Sequence, residues 1–287
     1  MLTTEAFHQI ISDGVHLLDG ATGSNLMKAG MPKGCCAEEW ILAHPEPLVS
    51  LQQAYARAGS QILYAPTFQA QPLALDKVGL GKQTEAINEA LVALSRSAAP
   101  ECLIAGDIAT MAAVCDSWNP DIFDLLVGNY RRQIKGLING GVDIIVAETL
   151  LYPQEAEAVL TAAALENAGA VMCSFTMQSD GSLFSGMDVG PVFTELEKAG
   201  AAALGFNCVA ADNFTAGLVS KLRRYTRVPI LCKPNAGNPV IGEDGFAHYP
   251  MKKTEFAQII CQCQQMGAAL VGGCCGTDPE FIAALRN

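Results

Sequence analysis

Three cysteines near the end of the sequence have a pattern that could hold a metal ion. Cys208 ends the segment GFNC, and Cys274 and Cys275 are adjacent in GGCCGT. Zinc binds thiolates in a tetrahedron, and catalytic zinc sites typically use three protein ligands and leave a fourth position open. The three cysteines therefore predict a catalytic zinc site. The competing interpretation is that the small residues of GGCCG serve only close packing.

An all-sulfur ligand set favours a particular chemistry. Three thiolates would leave zinc with a net charge of about -1, which makes it a poor activator of water. A thiol that enters the fourth position would still lose its proton, whereas a free thiol with a pKa of about 8.5 is mostly protonated at neutral pH. The pattern thus predicts alkyl transfer to a thiol rather than hydrolysis.

The remaining cysteines and the histidines are weaker candidates for chemistry. Eleven cysteines, an odd number, do not suggest a disulfide framework, and those within apolar runs are expected to be buried: Cys102, Cys173 and Cys232. The pair Cys35-Cys36 could be a redox pair or a second metal site, but adjacent cysteines rarely form a disulfide of good geometry. The histidines have no ligand spacing and are expected in loops or on the surface: His8, His16, His44 and His248.

The elements that must position these residues are short apolar segments, eight in number. They begin at Val15, Gln61, Cys102, Val142, Ala170, Ala203, Val228 and Ala269. Continuous apolarity is typical of parallel strands buried on both faces, and the intervening segments have helical signals. The sequence therefore predicts a single-domain (β/α)8 barrel over residues 1–287.

Helix signals lie between several of these strands. Apolar residues spaced three or four apart predict a helix over residues 122–138, Pro153 to Gly169 and Pro191 to Gly200 bracket two more, and Asp278-Pro279 begins the last. The long stretch after the first strand predicts an active-site loop over residues 30–46 and a helix beginning near Pro47.

Polar residues lie at the predicted carboxyl ends of the strands, where barrel enzymes place their catalytic groups. They are Asp19, Asp107, Glu148, Asn207, Cys208, Lys233, Asn235, Cys274 and Cys275. The sixth and eighth strands are two apart, so their ends should lie about 10 Å from each other. Loops or side chains must then bring the three thiols around one ion.

Charge and hydropathy exclude several classes of partner. The net charge of -11 and the lack of any basic block longer than a pair argue against nucleic acid. No segment reaches the roughly 20 apolar residues of a membrane span, and the first residues do not have the pattern of a signal peptide. A soluble, cytoplasmic protein without membrane partners is expected.

Four motifs resemble the homocysteine S-methyltransferase family: DGATGS from Asp19, GFNC ending at Cys208, PNAG from Pro234 and GGCCGT from Gly272. Longer segments, such as residues 38–63 and 148–160, look most like the homocysteine-binding module of cobalamin-dependent methionine synthase. The resemblance implies methyl transfer to the thiol of homocysteine on zinc, which gives methionine.

The same resemblance implies roles for individual residues. Cys208, Cys274 and Cys275 would bind zinc, with Asn235 as a candidate fourth ligand before substrate arrives. Asp19 and Glu148 would hold the ammonium of homocysteine, and backbone N–H groups after Asp19, at Ala21 and Thr22, would receive its carboxylate.

Two loops depart from the family pattern. They affect which thiol is the acceptor or the shape of the surface that meets the methyl donor. Residues 65–68 read Ala-Pro-Thr-Phe in place of an Asn-Thr-Phe element, and GDIATMAAV lacks the usual Gly-Pro. Because no folate, cobalamin or activation module follows residue 287, the donor is expected to be a separate methylated corrinoid protein.

Three alternatives to this donor and function remain open. One is a small donor such as S-methylmethionine or betaine, and another is a non-catalytic zinc-storing or corrinoid-docking subunit. The third is a Schiff-base lyase that uses Lys233.

Overall fold

The computed structural model describes residues 1–243, 245 and 247–286. Within these residues eight parallel strands form one sheet: β1 (His16–Leu17), β2 (Ile62–Tyr64), β3 (Leu103–Ala109), β4 (Ile144–Leu150), β5 (Val171–Phe175), β6 (Ala203–Ala210), β7 (Ile230–Asn235) and β8 (Ala268–Val271). A two-stranded antiparallel hairpin, Val240–Ile241 with Ala247–His248, projects from the β7 end. All eight predicted strands are confirmed.

The strands close into a barrel at the seam between β1 and β2. Each strand pairs with its sequence neighbour from β2 to β8, and β8 pairs with β1. A bridge between Leu18 and Ile62 and a hydrogen bond from the Gln61 amide to the Leu17 carbonyl (2.8 Å) join the remaining two edges. The predicted (β/α)8 barrel is therefore confirmed.

Helices surround the barrel. Among the described residues they are α1 (Thr4–Ile10), α2 (Gly23–Lys28), α3 (Ala37–Ala43), α4 (Pro45–Ala58), α5 (Pro72–Asp76), α6 (Thr84–Ala98), α7 (Phe123–Gly140), α8 (Pro153–Leu165), α9 (Val189–Lys198), α10 (Thr215–Leu222), α11 (Lys253–Gln265) and α12 (Pro279–Ala283). Short 3-10 helices occupy Ile11–Asp13, Gly81–Gln83, Pro120–Ile122 and Ala284–Arg286. None of the helices in this described part is both long and apolar enough to cross a membrane.

The helix predictions were right about position and less accurate about ends. α7 matches the predicted helix, and Asp278 caps α12 by accepting from the amides of Glu280 and Phe281. α8 ends at Leu165 rather than near Gly169, because Asn167 takes the left-handed conformation (φ 53°) that terminates a helix. α9 begins at Val189, two residues before Pro191, because Asp188 is its cap.

The predicted helix near Pro47 is confirmed as α4, which begins at Pro45. Two other predictions about local structure were wrong. The predicted loop over residues 30–46 contains α3. His16 lies in β1 and is buried, with its ring hydrogen-bonded to Asp13 (2.8 Å), so it is neither a loop nor a surface residue.

The barrel interior is apolar at its amino-terminal end and polar at its carboxyl end. Leu18, Ile62, Val146, Met172 and other interior residues form one buried cluster, which Phe7 of α1 closes from below. Cys102, Cys173 and Cys232 are buried in the cluster between barrel and helices, as predicted. The buried polar side chains lie at the opposite end of the barrel, where β3, β4, β6 and β7 end: Asp107, Glu148, Asn207, Lys233 and Asn235.

Candidate active site

The three predicted metal ligands lie together at the carboxyl end of the barrel. The Sγ atoms of Cys208, Cys274 and Cys275 are all within 4.8 Å of one another. Ligands about 2.3 Å from zinc in a tetrahedron place sulfur atoms roughly 3.8 Å apart, so only a small adjustment is needed for all three to bind one ion. The donor set and its spacing fit zinc.

A change in register at the end of β6 brings Cys208 to the other two thiols. Pairing between β6 and β7 shifts between Asn207 and Ala210, and Cys208 takes a left-handed backbone conformation (φ 56°). That conformation is costly for a residue with a side chain, and such strain is concentrated at functional sites. The bulge turns Cys208 toward the neighbouring strand ends.

The segment after β8 is held between its neighbours, and its glycines permit this. The Cys274 amide donates to the Pro234 carbonyl (2.7 Å), and the Ala236 amide donates to the Cys275 carbonyl (3.0 Å). A Cβ at Gly272 would lie 2.6 Å from the Asp19 carbonyl oxygen, which excludes larger residues. The close-packing interpretation of this motif therefore holds for its glycines, while its cysteines face the metal-site candidate.

Hydrogen bonding among the three thiols favours the thiolate form of one of them, Cys275, while the pKa values of Cys208 and Cys274 are raised. Hydrogen bonds from Cys208, then Cys274, lower the pKa of Cys275 to about 3. The pKa of Cys208 is raised because its thiol donates to Cys274 and Cys275. The Tyr249 hydroxyl also donates to Cys275, and its ring packs over Gly276, where a Cβ would lie 2.2 Å from the ring. A site that already stabilises a thiolate is suited to a cation.

A cavity of about 1020 Å³ opens beside the thiols and extends to α3 and to the residues that precede it, Gly34 to Cys36. Cys208, Cys274 and Cys275 line it at one end together with Glu148 and Lys233. At the other end it is bordered by α2, α5 and the pair Cys35-Cys36, which is not joined as a disulfide. Small-molecule sites in proteins commonly have this volume, so the cavity can hold more than one small ligand.

An ion pair forms part of the floor of the site. Lys233 is buried, and its Nζ lies 3.3 Å from Asp19 Oδ1 and 4.6 Å from the centre of the Tyr64 ring. Burial disfavours the ammonium, but Asp19 and Glu148 outweigh burial and raise the pKa of Lys233. A buried lysine whose ammonium form is favoured by neighbouring carboxyl groups is unsuited to Schiff-base chemistry, which requires a neutral amine.

Two more carboxyl groups face the cavity near this ion pair. Asp107 on β3 and Glu148 on β4 are both buried and line the cavity. Burial raises the pKa of Glu148 to about 8, with Lys233 opposing the rise. Burial and then the charge of Glu148 raise the pKa of Asp107 well above its ordinary range. The sequence places Asp107 at a strand end but does not indicate a role for it, because only the fold shows that it lies near Glu148.

Asn207 connects the strand end that carries Glu148 to the strand end that carries Cys208. Its Oδ1 accepts from the Thr149 amide (2.8 Å) and the Ser174 hydroxyl (2.8 Å), and its Nδ2 donates to Thr149 Oγ1 (2.7 Å). Thr149 has a left-handed conformation (φ 58°) and follows Glu148, while Asn207 precedes Cys208. One buried amide thus fixes the ends of β4 and β6 together.

Replacing Asn207 with alanine should weaken both halves of the site. We expect a loss of about 2–4 kcal/mol in the free energy of unfolding, because buried partners on Thr149 and Ser174 lose their hydrogen bonds. Affinity for zinc should fall as well, as measured by competition with a chelator. Ser174→Ala, which removes one donor, is the matched control and should cost about 1 kcal/mol. Unchanged zinc affinity in Asn207→Ala would argue against the connection.

The predicted substrate-binding residues are only partly gathered at the cavity. Ala21, Thr22 and Glu148 line it, whereas Asp19 is buried behind Lys233. The Ala21 amide, one of the predicted carboxylate-binding groups, donates to Thr277 Oγ1 (3.2 Å). Asn235 Oδ1 is buried without a hydrogen-bond partner among the described residues. Tyr249 lies in the segment of residues 242–251, which resembles the methionine synthase module, but the sequence does not indicate that its side chain reaches Cys275.

Comparisons with known proteins agree with this geometry. A family model described as homocysteine S-methyltransferase matches residues 16–287. Methionine synthase of Mycobacterium tuberculosis is 27% identical over 97% of this chain, which spans 25% of that protein's length. Homocysteine S-methyltransferase of Escherichia coli K12 is 29% identical over 94% of both chains. The metallated crystal structure of the Escherichia coli homocysteine methyltransferase MmuM superposes with a TM-score of 0.83 at 26% identity, covering 97% of this chain and 98% of that one. The chain belongs to the homocysteine S-methyltransferase family.

Proposed function

We propose that this protein transfers a methyl group to the thiol of homocysteine, with zinc held by Cys208, Cys274 and Cys275. The observation that carries the proposal is the approach of three Sγ atoms to within 4.8 Å of one another at the wall of a cavity. Zinc, when bound there, would supply the positive charge that keeps an incoming thiol deprotonated at neutral pH. Asn235, with its unpartnered Oδ1, is the proposed fourth ligand before substrate arrives.

The residues of the chain would bind and orient the amino acid. Glu148 lines the cavity and its Oε2 has no hydrogen-bond partner among the described residues, which supports a role in binding the ammonium. Thr22 at the start of α2, together with Ala21, borders the cavity where the carboxylate would lie. Asp19 differs, because Lys233 already neutralises it. The Tyr249 hydroxyl on Cys275 would help hold that sulfur in place.

The donor proposed first is a separate methylated corrinoid protein, since the sequence resembles methionine synthases over one quarter of their length. A small donor such as S-methylmethionine is the second candidate. The match with the Escherichia coli enzyme over 94% of both chains favours it, as does a cavity with room for two small molecules. We also propose that the protein acts in the cytoplasm, because all eleven cysteines are outside disulfides and a cluster of reactive thiols persists where thiols are kept reduced.

A donor screen with homocysteine tests the reaction. Zinc-loaded protein would be incubated with homocysteine and, separately, methylcobalamin, a methylated corrinoid protein, S-methylmethionine or betaine, and methionine would be measured. Activity should disappear with a chelator and return with zinc. X-ray absorption at the zinc edge gives an independent readout, because homocysteine should add a sulfur ligand. If zinc binds but the addition of homocysteine leaves its ligands unchanged, the protein is instead a non-catalytic zinc-storing or corrinoid-docking subunit.

A further inference from the structure

The most exposed apolar side chains of the protein lie at the carboxyl end of the barrel. Among the described residues, the four large apolar side chains with the greatest exposure are Phe184 (59%), Phe214 (65%), Val240 (58%) and Ile241 (69%). They lie on the loops that follow β5, β6 and β7, which are neighbouring strands. These four residues, called the apolar patch below, therefore come from adjacent loops on one side of the cavity mouth.

The apolar patch adjoins the sulfur end of the cavity without forming part of the cavity wall. Cys208 lies near the end of β6, and the loop after β7 contributes Ala247, His248 and Tyr249 to the cavity lining. None of the four patch residues is among the described residues that line the cavity. A ligand held inside the cavity therefore makes no use of the apolar patch.

The hairpin that carries Val240 and Ile241 is small and exposed. Each of its strands has two residues, and all four residues are exposed. A two-stranded hairpin is marginally stable in water unless it packs against something else. Exposed apolar patches on a folded protein mark sites where another macromolecule binds. We therefore expect a partner to cover the hairpin and the aromatic side chains beside it.

Charge restricts the kind of partner. The three loops, residues 176–188, 211–214 and 236–251, contain no lysine or arginine and five acidic residues: Asp180, Asp188, Asp212, Glu243 and Asp244. Two lysines reach these loops from other segments, Lys221 to Asp188 (2.6 Å) and Lys33 to the Gly245 carbonyl (2.8 Å). The acidic residues outnumber the lysines, so the loops carry net negative charge.

This charge argues against three occupants of the patch. A second copy of the chain, related by a twofold axis, would place the same acidic loops against each other. Nucleic acid and anionic membranes would be repelled as well. The occupant that fits is a different protein, whose docking face is apolar and surrounded by basic residues.

We propose that the apolar patch docks the methylated corrinoid protein that donates the methyl group. This inference rests on the proposed function, and it commits the donor to a protein rather than a small molecule. Reacting atoms must come within about 3–3.5 Å of each other. A corrinoid carried by a protein reaches a sulfur at the cavity wall only if that protein rests on the surrounding loops.

The transfer itself needs no further reactant. The sulfur of homocysteine supplies the electron pair of the new bond to the methyl carbon. The electron pair of the broken cobalt–carbon bond stays with the corrinoid. The role of the apolar patch is to hold the donor protein over the cavity mouth while this exchange takes place.

The test compares two donors that carry the same methylated group. One is a corrinoid-binding protein of the same organism, purified and loaded with methylcobalamin, and the other is free methylcobalamin. The ratio of their kcat/KM values isolates the contribution of the polypeptide. Phe214→Ser and Ile241→Ser should each lower the ratio at least about tenfold, because a few side chains at the centre of an interface contribute most of its affinity.

Direct binding gives a readout that is independent of catalysis. In calorimetric titrations with the corrinoid protein, the same two variants should show a dissociation constant raised at least about tenfold. Leu165→Ser is the matched control, because Leu165 is 53% exposed and ends α8 at the opposite end of the barrel. It should leave the ratio and the dissociation constant unchanged. Equal zinc content in all variants shows that the cysteine cluster is intact.

Three results would overturn the inference. One is an equal fall in rate with both donors, which is the mark of a structural role. Another is an unchanged dissociation constant for the corrinoid protein in both patch variants. The third is a dimer, seen by analytical ultracentrifugation, that Ile241→Ser dissociates, since a second copy would then cover the patch. Where free methylcobalamin gives no measurable rate, the dissociation constants decide.

Failure of the proposed function is distinguishable from failure of this inference. In the first case no donor methylates homocysteine, yet the titration still reports whether the corrinoid protein docks on the patch. In the second case methionine forms, but the patch variants bind and use the corrinoid protein as well as the original protein does.

Discussion

Replacement of Cys208 with alanine is expected to remove zinc from the protein and with it the transfer of methyl groups to homocysteine. Changes to groups that merely support metal ligands cost about 10–100-fold in affinity, so loss of one of three thiolates should cost at least 100-fold. The two sulfur atoms that remain come from adjacent residues, Cys274 and Cys275. Two such ligands do not complete the tetrahedral coordination that zinc prefers. The measurements are zinc per chain after dialysis, by mass spectrometry, and the rate of methionine formation.

The control for this variant is another cysteine far from the cluster. Cys261 is exposed on α11, and its replacement by serine should leave both zinc content and activity as they were. Retention of one zinc per chain in Cys208→Ala would contradict the assignment, since the ion would then have to be held elsewhere. Serine at position 208 should behave like alanine, because a neutral hydroxyl does not replace a thiolate.

Replacement of Lys233 with methionine is expected to cost about 3–5 kcal/mol of unfolding free energy near pH 8, because it leaves buried carboxylates without their cation. The loss should be smaller near pH 4. Burial raises the pKa of Glu148 to about 8 even with Lys233 opposing it, and the pKa of Asp19 is raised by burial too. Carboxyl groups with raised pKa values are neutral in the folded protein at low pH, and they destabilise it as the pH rises from about 4.5 through 8.

Urea denaturation of the Lys233→Met variant at the two pH values measures this dependence. Lys198→Met is a suitable control, because Lys198 and its partner Glu195 are exposed and such pairs contribute less than about 1 kcal/mol. A deficit of the same size at both pH values would mean that Lys233 contributes packing rather than charge. In that case Asp19 would have to be stabilised chiefly by the Tyr64 amide.

The barrel and its cluster of three cysteines were predictable because their signals are local. Eight continuous apolar segments correspond to β1 to β8, and the resemblance to the homocysteine S-methyltransferase family is confirmed by the family model over residues 16–287. Placement of Cys208 with Cys274 and Cys275 followed from the rule that parallel strands end on one rim. The sequence did not reveal the bulge at Cys208. This bulge brings the end of β6 close to the end of β8, although β7 lies between the two strands.

What could not be predicted depends on contacts between distant residues. Lys233 and Asp19 are more than two hundred positions apart, and nothing in either motif indicates that they pair. Asp107 faces Glu148 only because of the register of β3 against β4. The ends of α8 and α9 were missed because Asn167 and Asp188 decide them through backbone and capping geometry that overrides the nearby glycine and proline.

The seam between β1 and β2 should determine where the barrel opens locally. One bridge and one backbone hydrogen bond join the two strand edges, whereas the other neighbouring strands of the barrel are joined by longer ladders. Three hydrogen bonds that involve side chains add to them: from the Leu17 amide to Gln61 Oε1, from the Ser60 hydroxyl to the Leu18 carbonyl, and from the Tyr64 amide to Asp19 Oδ2. Local opening is easiest where few hydrogen bonds must break together, so this seam should part before the rest of the barrel does. Asp19 and Tyr64 lie on the two sides of this seam. The part of the cavity that they border should therefore open more easily than the rest. A ligand that touches Tyr64 would then tighten the barrel as a whole.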